Sequence, residues 1–218
     1  MRETRNIEYK ETITSTFLKT VSAYANFGTG KIMFGITDDG TIKGIDNIKQ
    51  ACLDVENQIN DSIDPVPEYT IDINERTSVI TLTVFEGAKK PYLYKAKAYR
   101  RNDSATTAVN RLELSRLILD GQNISYEELP ASDQDLSFKI LEKKLEDAIN
   151  IESFSLDTLK TLGLYDGKTG FNKAAELLAD KNRFYGTDIV RFGDSINIIL
   201  DRKHWNTSPF FLSMIRRC

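Results

Sequence analysis

Over the first 45 residues the hydrophobic period changes from two, to three or four, to continuous. Ile7-Glu8-Tyr9-Lys10 alternates as a half-buried strand does, with Ile7 and Tyr9 on one face and Glu8 and Lys10 on the other. Ile13, Phe17, Val21, Tyr24 and Ala25 then recur at helical spacing, and Gly28 and Gly30 supply the stop. Lys31 to Ile36 reads as a buried strand, Asp38-Asp39-Gly40 as its turn and Thr41 to Ile45 as the return strand. A β-α-β-β opening obliges the helix to pack on the sheet, because neither buries its apolar face alone.

The pattern continues to about residue 120. Ile48, Cys52, Val55, Ile59 and Ile63 form a second helical stripe that Pro65 and Pro67 end. Strands are predicted over Tyr69 to Ile73 and Val79 to Phe85, and a short one over Lys97 to Arg101; Leu112, Leu114, Leu117 and Ile118 give a helix before Gly121. The expected fold class is α+β: a mixed sheet with covering helices over residues 1–120, followed by a small helical domain with a β-hairpin. Residues 121–136, polar and acidic around Pro130 and Ser132-Asp133-Gln134-Asp135, read as a linker. Residues 137–203 read as helices near Ser137 to Asn150, Ser155 to Leu162 and Phe171 to Lys181, then a hairpin from Asp188 to Leu200, winged-helix-like in outline. Residues 204–218 form an atypical tail.

Composition excludes several chemistries. No apolar run approaches the roughly 18 residues of a membrane helix, and Met1 to Arg5 lacks the apolar stretch of a signal peptide, so a cytoplasmic protein without a membrane partner is expected. Cys52 and Cys218 stand far apart and His204 is the one histidine, which argues against a zinc site and against His-dependent nucleophilic catalysis. Carboxylates, lysines and hydroxyls must carry any chemistry. Gly28-Thr29-Gly30-Lys31 lacks phosphate-loop spacing, with Ala25 and Ile32 at the glycine and hydroxyl positions, so no ATP site is visible.

A net charge of −3 gives no global attraction to a polyanion, so nucleic acid would have to meet a local patch. Residues 87–101 offer one: Lys89, Lys90, Lys95, Lys97, Arg100 and Arg101, with no acidic residue and with Tyr92, Tyr94 and Tyr99 interleaved. Two-residue spacing puts Lys95, Lys97 and Tyr99 on one strand face; Arg100 and Arg101, before the Asn102-Asp103 turn, would splay toward a phosphate backbone while Tyr99 stacks a base. The competing reading is an edge strand whose lysines discourage aggregation.

The run Val21 to Gly40, with Ile7-Glu8-Tyr9-Lys10-Glu11 before it and Tyr99-Arg100-Arg101-Asn102-Asp103-Ser104 after it, resembles the Schlafen AlbA-type (AlbA_2) family over roughly residues 3–118. The resemblance implies a nucleic-acid-binding module of the kind found at the front of transcriptional regulators and RecG-related ATP-binding proteins. In Schlafen nucleases three acids hold a divalent metal and cut structured RNA; their positions match Glu3, Glu8 and Asp38, with Lys10 nearby, and Mg²⁺ or Mn²⁺ would be the ion. Those nucleases join two lobes into a clamp, so one lobe would need a homodimer. From the residues themselves, only Glu8 is placed by strand alternation; Glu3 lies an odd number of positions away and Asp38 sits where a turn former would.

The leading expectation is therefore a DNA-binding transcriptional regulator. A metal-dependent endoribonuclease using Glu3, Glu8, Lys10 and Asp38 competes with it, as does an assembly module that binds no nucleic acid. Relatives of the second region continue into an ATP-binding domain, and codon degeneracy permits one DNA to encode the observed tail in one frame and such a continuation in another. A frameshifted, shortened relative is thus expected.

Overall fold

A computed structural model of the protein describes residues 3–151 and 153–205. The chain divides after Ile124 into two compact units. In the first, β1 (Ile7–Lys10), α1 (Phe17–Phe27), β2 (Gly30–Phe34), α2 (Ile48–Ser62), β3 (Ile63–Asp64), β4 (Tyr69–Asn74), β5 (Val79–Val84), β6 (Leu93–Tyr94), β7 (Tyr99–Asn102), β8 (Ala105–Ala108) and α3 (Arg111–Gly121) follow in order. β1 and β2 are parallel, with Glu8 opposite Ile32, and β5 is antiparallel to both β2 and β4. The result is a mixed sheet of order β1-β2-β5-β4, so the α+β expectation holds. A parallel neighbour needs a crossover, and α1 is that crossover.

The stripe read from the sequence makes the core. Phe17, Val21, Tyr24 and Ala25 of α1 pack with Ile32 and Phe34 of β2, Val55 and Ile59 of α2, and Ile80, Leu82 and Val84 of β5. The Phe17 and Phe34 rings meet edge to face at 5.3 Å. Helix α1 also buries Thr20, Ser22 and Asn26, which an amphipathic helix would leave in water. Thr20 Oγ1 meets Thr106 Oγ1 at 3.0 Å, and the segment after Pro91 satisfies the other two: Ser22 Oγ donates to Tyr92 O (2.7 Å), Asn26 Nδ2 donates to Tyr92 O (2.8 Å), and Tyr92 N–H returns a bond to Asn26 Oδ1 (2.8 Å). Gly30 is required by packing, because a Cβ there would stand 2.4 Å from the Tyr24 ring.

Two local expectations change. The return strand over Thr41 to Ile45 shrinks to a bridge between Ile36 and Ile42. The strand expected over Lys97 to Arg101 starts only at Tyr99, since Lys95 and Ala96 adopt positive φ in a turn closed by mutual Tyr94–Lys97 backbone hydrogen bonds. Lys95 and Lys97 therefore do not share a strand with Tyr99.

In the second unit a 3-10 turn (Tyr126–Glu128) precedes α4 (Lys139–Ile149), α5 (Leu156–Thr161), β9 (Tyr165–Asp166), β10 (Gly170–Phe171), α6 (Lys173–Leu178), β11 (Thr187–Phe192) and β12 (Ile199–Trp205). Phe138, Leu141, Leu159, Leu164, Ala175 and Ala179 form its core. Part of the stretch read as a linker is bound into this unit: Ala131 N–H donates to Phe171 O and Ser132 N–H to Glu176. The β11–β12 hairpin returns at Ile199, later than the predicted Ser195, with a register shift at Arg191–Phe192. Of the tail expected from residue 204, His204 and Trp205 end β12, and residues 206–218 lie outside the described residues. Among the described residues no helix is long and apolar enough to cross a membrane.

Candidate nucleic-acid interface

The basic segment divides into paired and unpaired cations. Lys90 is held between Glu86 (2.7 Å) and Asp120 (3.1 Å); burial works against its charge, but the two carboxylates prevail and raise its pKa. Arg100 pairs with Glu113, whose own carboxyl is lowered by the Asn110 N–H of its capping box and by that arginine. Arg101, expected to splay outward, is instead buried: its Nη1 lies 2.5 Å from Glu8 Oε2, with side-chain exposures of 3% and 5%. Tyr92, Tyr94 and Tyr99 are buried as well, so the expectation of a base stacked on Tyr99 is corrected. Strand β7 faces α1 with Tyr99 and Arg101, and alternation leaves Arg100 for the outside.

Lys89, Lys95 and Lys97 are exposed and make no ion pair among the described residues. The Lys95 ammonium sits 5.3 Å from the Tyr94 ring centroid, and Lys97 pairs through its backbone with Tyr94. Tyr94 and Tyr99 lie side by side, centroids 6.4 Å apart, and Lys19 of α1 stands 6.0 Å from the Tyr99 centroid. Lys19 was missed in the sequence because it lies 80 residues from Tyr99, on a helix whose apolar stripe carried the signal. Lys19 and Lys95 thus stand against one buried tyrosine pair, and the exposed Lys97 is tied to it through its backbone.

The acidic positions are brought together only in part. Glu3 Oε1 accepts from Tyr9 N–H at 2.9 Å, and Glu3 Oε2 lies 3.7 Å from Arg101 Nη2. Glu8 takes Lys10 on Oε1 (2.6 Å) and Arg101 on Oε2. Asp38 is exposed in the Asp38-Asp39-Gly40 turn, whose working member is Asp39: Thr37 Oγ1 and Thr41 N–H donate to it and hold its pKa down at about 2. Among the described residues no three His, Cys, Asp or Glu side chains stand close enough to hold one metal ion, so the Glu3, Glu8 and Asp38 trio is not assembled. Tyr24 completes the cluster. Its hydroxyl is buried without a hydrogen-bond partner among the described residues, and its pKa is raised mainly by burial and further by Glu8 and Glu3, against the opposing pull of Arg101.

A mixed sheet crossed over by a largely buried helix, with an acid–guanidinium cluster at its parallel edge and exposed lysines at the Tyr94–Tyr99 pair, makes up this α+β domain. This domain belongs to the Schlafen AlbA_2 family, whose model, described as "Schlafen, AlbA_2", matches residues 3–110. No curated protein matches the chain. Among solved structures it is similar to the DIP2311 protein from Corynebacterium diphtheriae, at 16% identity and a TM-score of 0.43, over 97% of this chain and 42% of that one. It is also similar to the N-terminal domain of a RecG-related protein from Nitrosomonas europaea, at 23% identity and a TM-score of 0.33, over 51% of this chain and 85% of that domain. The chain therefore spans less than half the length of the Corynebacterium protein.

Proposed function

We propose that the first unit binds nucleic acid through the phosphate backbone, with Lys19, Lys95 and Lys97 as contacts and Lys89 as a flanking one. The observation that carries this reading is the set of lysines around the Tyr94–Tyr99 pair, which have no carboxylate partner among the described residues in a chain of net charge −3. Membership of the Schlafen AlbA_2 family supports the same partner class. Backbone contacts of this kind position a protein and carry no sequence information, so DNA is the proposed ligand without a proposed site sequence. The role of a DNA-binding transcriptional regulator follows if the second unit, with its exposed β11–β12 hairpin, supplies the interaction that recruits or responds.

Fluorescence anisotropy with labelled duplex DNA, single-stranded DNA and an RNA hairpin over a salt series, without divalent metal, tests the reading. Affinity falling steeply with salt for at least one ligand is expected. Absence of binding at low salt to all three sinks it and leaves the lysines as a solvated face.

A further inference from the structure

The resemblance to Schlafen nucleases implies a divalent ion at Glu3, Glu8 and Asp38, and the residues do not fit one. A metal needs hard oxygen ligands with free lone pairs and a net negative site. Here both oxygens of Glu8 are engaged by cations, Lys10 at 2.6 Å and Arg101 at 2.5 Å. Glu3 gives one oxygen to Tyr9 N–H and turns the other to the same guanidinium. Two carboxylates face two cations, so the cluster is neutral before any ion arrives.

We propose that Arg101 is the resident cation of this acid pair and excludes a divalent ion from it. The guanidinium is placed for that role from every side. Nε donates to Thr4 O (3.2 Å), Nη1 to Glu8 Oε2 and to Thr106 Oγ1 (3.3 Å), and Nη2 to Ile7 O (3.4 Å). Thr106 in turn meets Thr20 of α1 at 3.0 Å. A planar fork that spends four of its five N–H donors on two carbonyls, a hydroxyl and a carboxylate, with Glu3 Oε2 at 3.7 Å from Nη2, is held in place as a surface lysine is not. Arg101 thus ties the segment before β1, β1 itself and β8 to one buried charge. The fold keeps the acids while a side chain takes the place of the ion. The proposal is independent of the lysine face: nucleic acid can bind there whether or not a metal binds at Glu3 and Glu8.

Mn²⁺ binding, followed by the loss of the free-ion electron paramagnetic resonance signal, separates the outcomes in wild type, Glu3→Gln, Arg101→Gln and the Glu3→Gln/Arg101→Gln double variant. Wild type and Glu3→Gln are expected to bind Mn²⁺ alike and weakly. Arg101→Gln should gain one site, tighter by on the order of tenfold or more, which the double variant loses again. A wild-type Mn²⁺ site that Glu3→Gln removes overturns the proposal. So does an Arg101→Gln protein, folded by circular dichroism, that gains nothing. If Arg101→Gln does not fold, the comparison of wild type with Glu3→Gln still decides.

Discussion

Arg101 and Glu8, 93 residues apart in sequence, meet at 2.5 Å inside the first unit, and both side chains are almost wholly buried. Removing one partner of such a pair leaves a buried charge short of its counter-ion; without Arg101, Glu8 keeps Lys10 on Oε1 and loses the cation on Oε2. Arg101→Ala is therefore expected to cost about 3–5 kcal/mol, and Glu8→Leu with Arg101→Met should recover much of that loss. Urea denaturation of wild type, single and double variants measures it. A single variant within 1 kcal/mol of wild type (about the resolution of such a measurement) shows that the pair is solvated in solution.

Lys95 and Lys97 lie at a turn, away from the core, so their replacement should alter binding without altering stability. Lys95→Ala with Lys97→Ala is expected to weaken all nucleic-acid sequences alike and to flatten the dependence of log affinity on log salt by about one to two units, with Lys19→Ala adding somewhat less than one more. Arg100→Ala, which breaks an ion pair with Glu113, should change the slope little. An unchanged slope in the double lysine variant places the contact elsewhere.

Tyr24 carries a buried hydroxyl with no partner among the described residues, near Glu3, Glu8 and Arg101. An unsatisfied buried polar group is a penalty, so Tyr24→Phe should leave the protein as stable as wild type or stabilise it by about 1 kcal/mol. Thermal melts check this. Clear destabilisation would show that the hydroxyl has found a partner in solution.

Asp180 caps α4 from 40 residues away, accepting from Ile140 N–H (2.8 Å), Lys139 N–H (2.9 Å) and Ser137 Oγ (2.9 Å). Burial pushes its carboxyl up, but these hydrogen bonds outweigh it and the net shift is downward. A folded pKa below the unfolded value contributes stability that is present above the ordinary carboxylate range and lost as pH falls through the folded value. Asp180→Asn should thus cost about 1 kcal/mol at neutral pH and progressively less in acid. Urea melts at neutral pH and at about pH 3 compare the two proteins; a cost that does not shrink in acid removes the carboxylate from the account.

What the sequence determined by itself was local and periodic. The two-residue alternation of Ile7 to Lys10, the stripe from Phe17 to Ala25 and the apolar run ending at Phe34 specify strand, crossover helix and parallel strand, because each pattern is a property of neighbouring residues. The glycine at position 30 was visible as a stop, though its physical reason, the Tyr24 ring, was not. Charge could be counted along residues 87–101 but not paired. Whether a cation meets water or a carboxylate depends on partners far away in sequence: Glu86 and Asp120 for Lys90, Glu113 for Arg100, Glu8 for Arg101. Strand parity could say that Arg100 and Arg101 point to opposite sides, yet only tertiary structure decided which side was core, because burial is a relation between elements. The same relation brought Lys19 to Tyr99, set Asp180 at the head of α4 and gave the acid pair a guanidinium for its counter-ion.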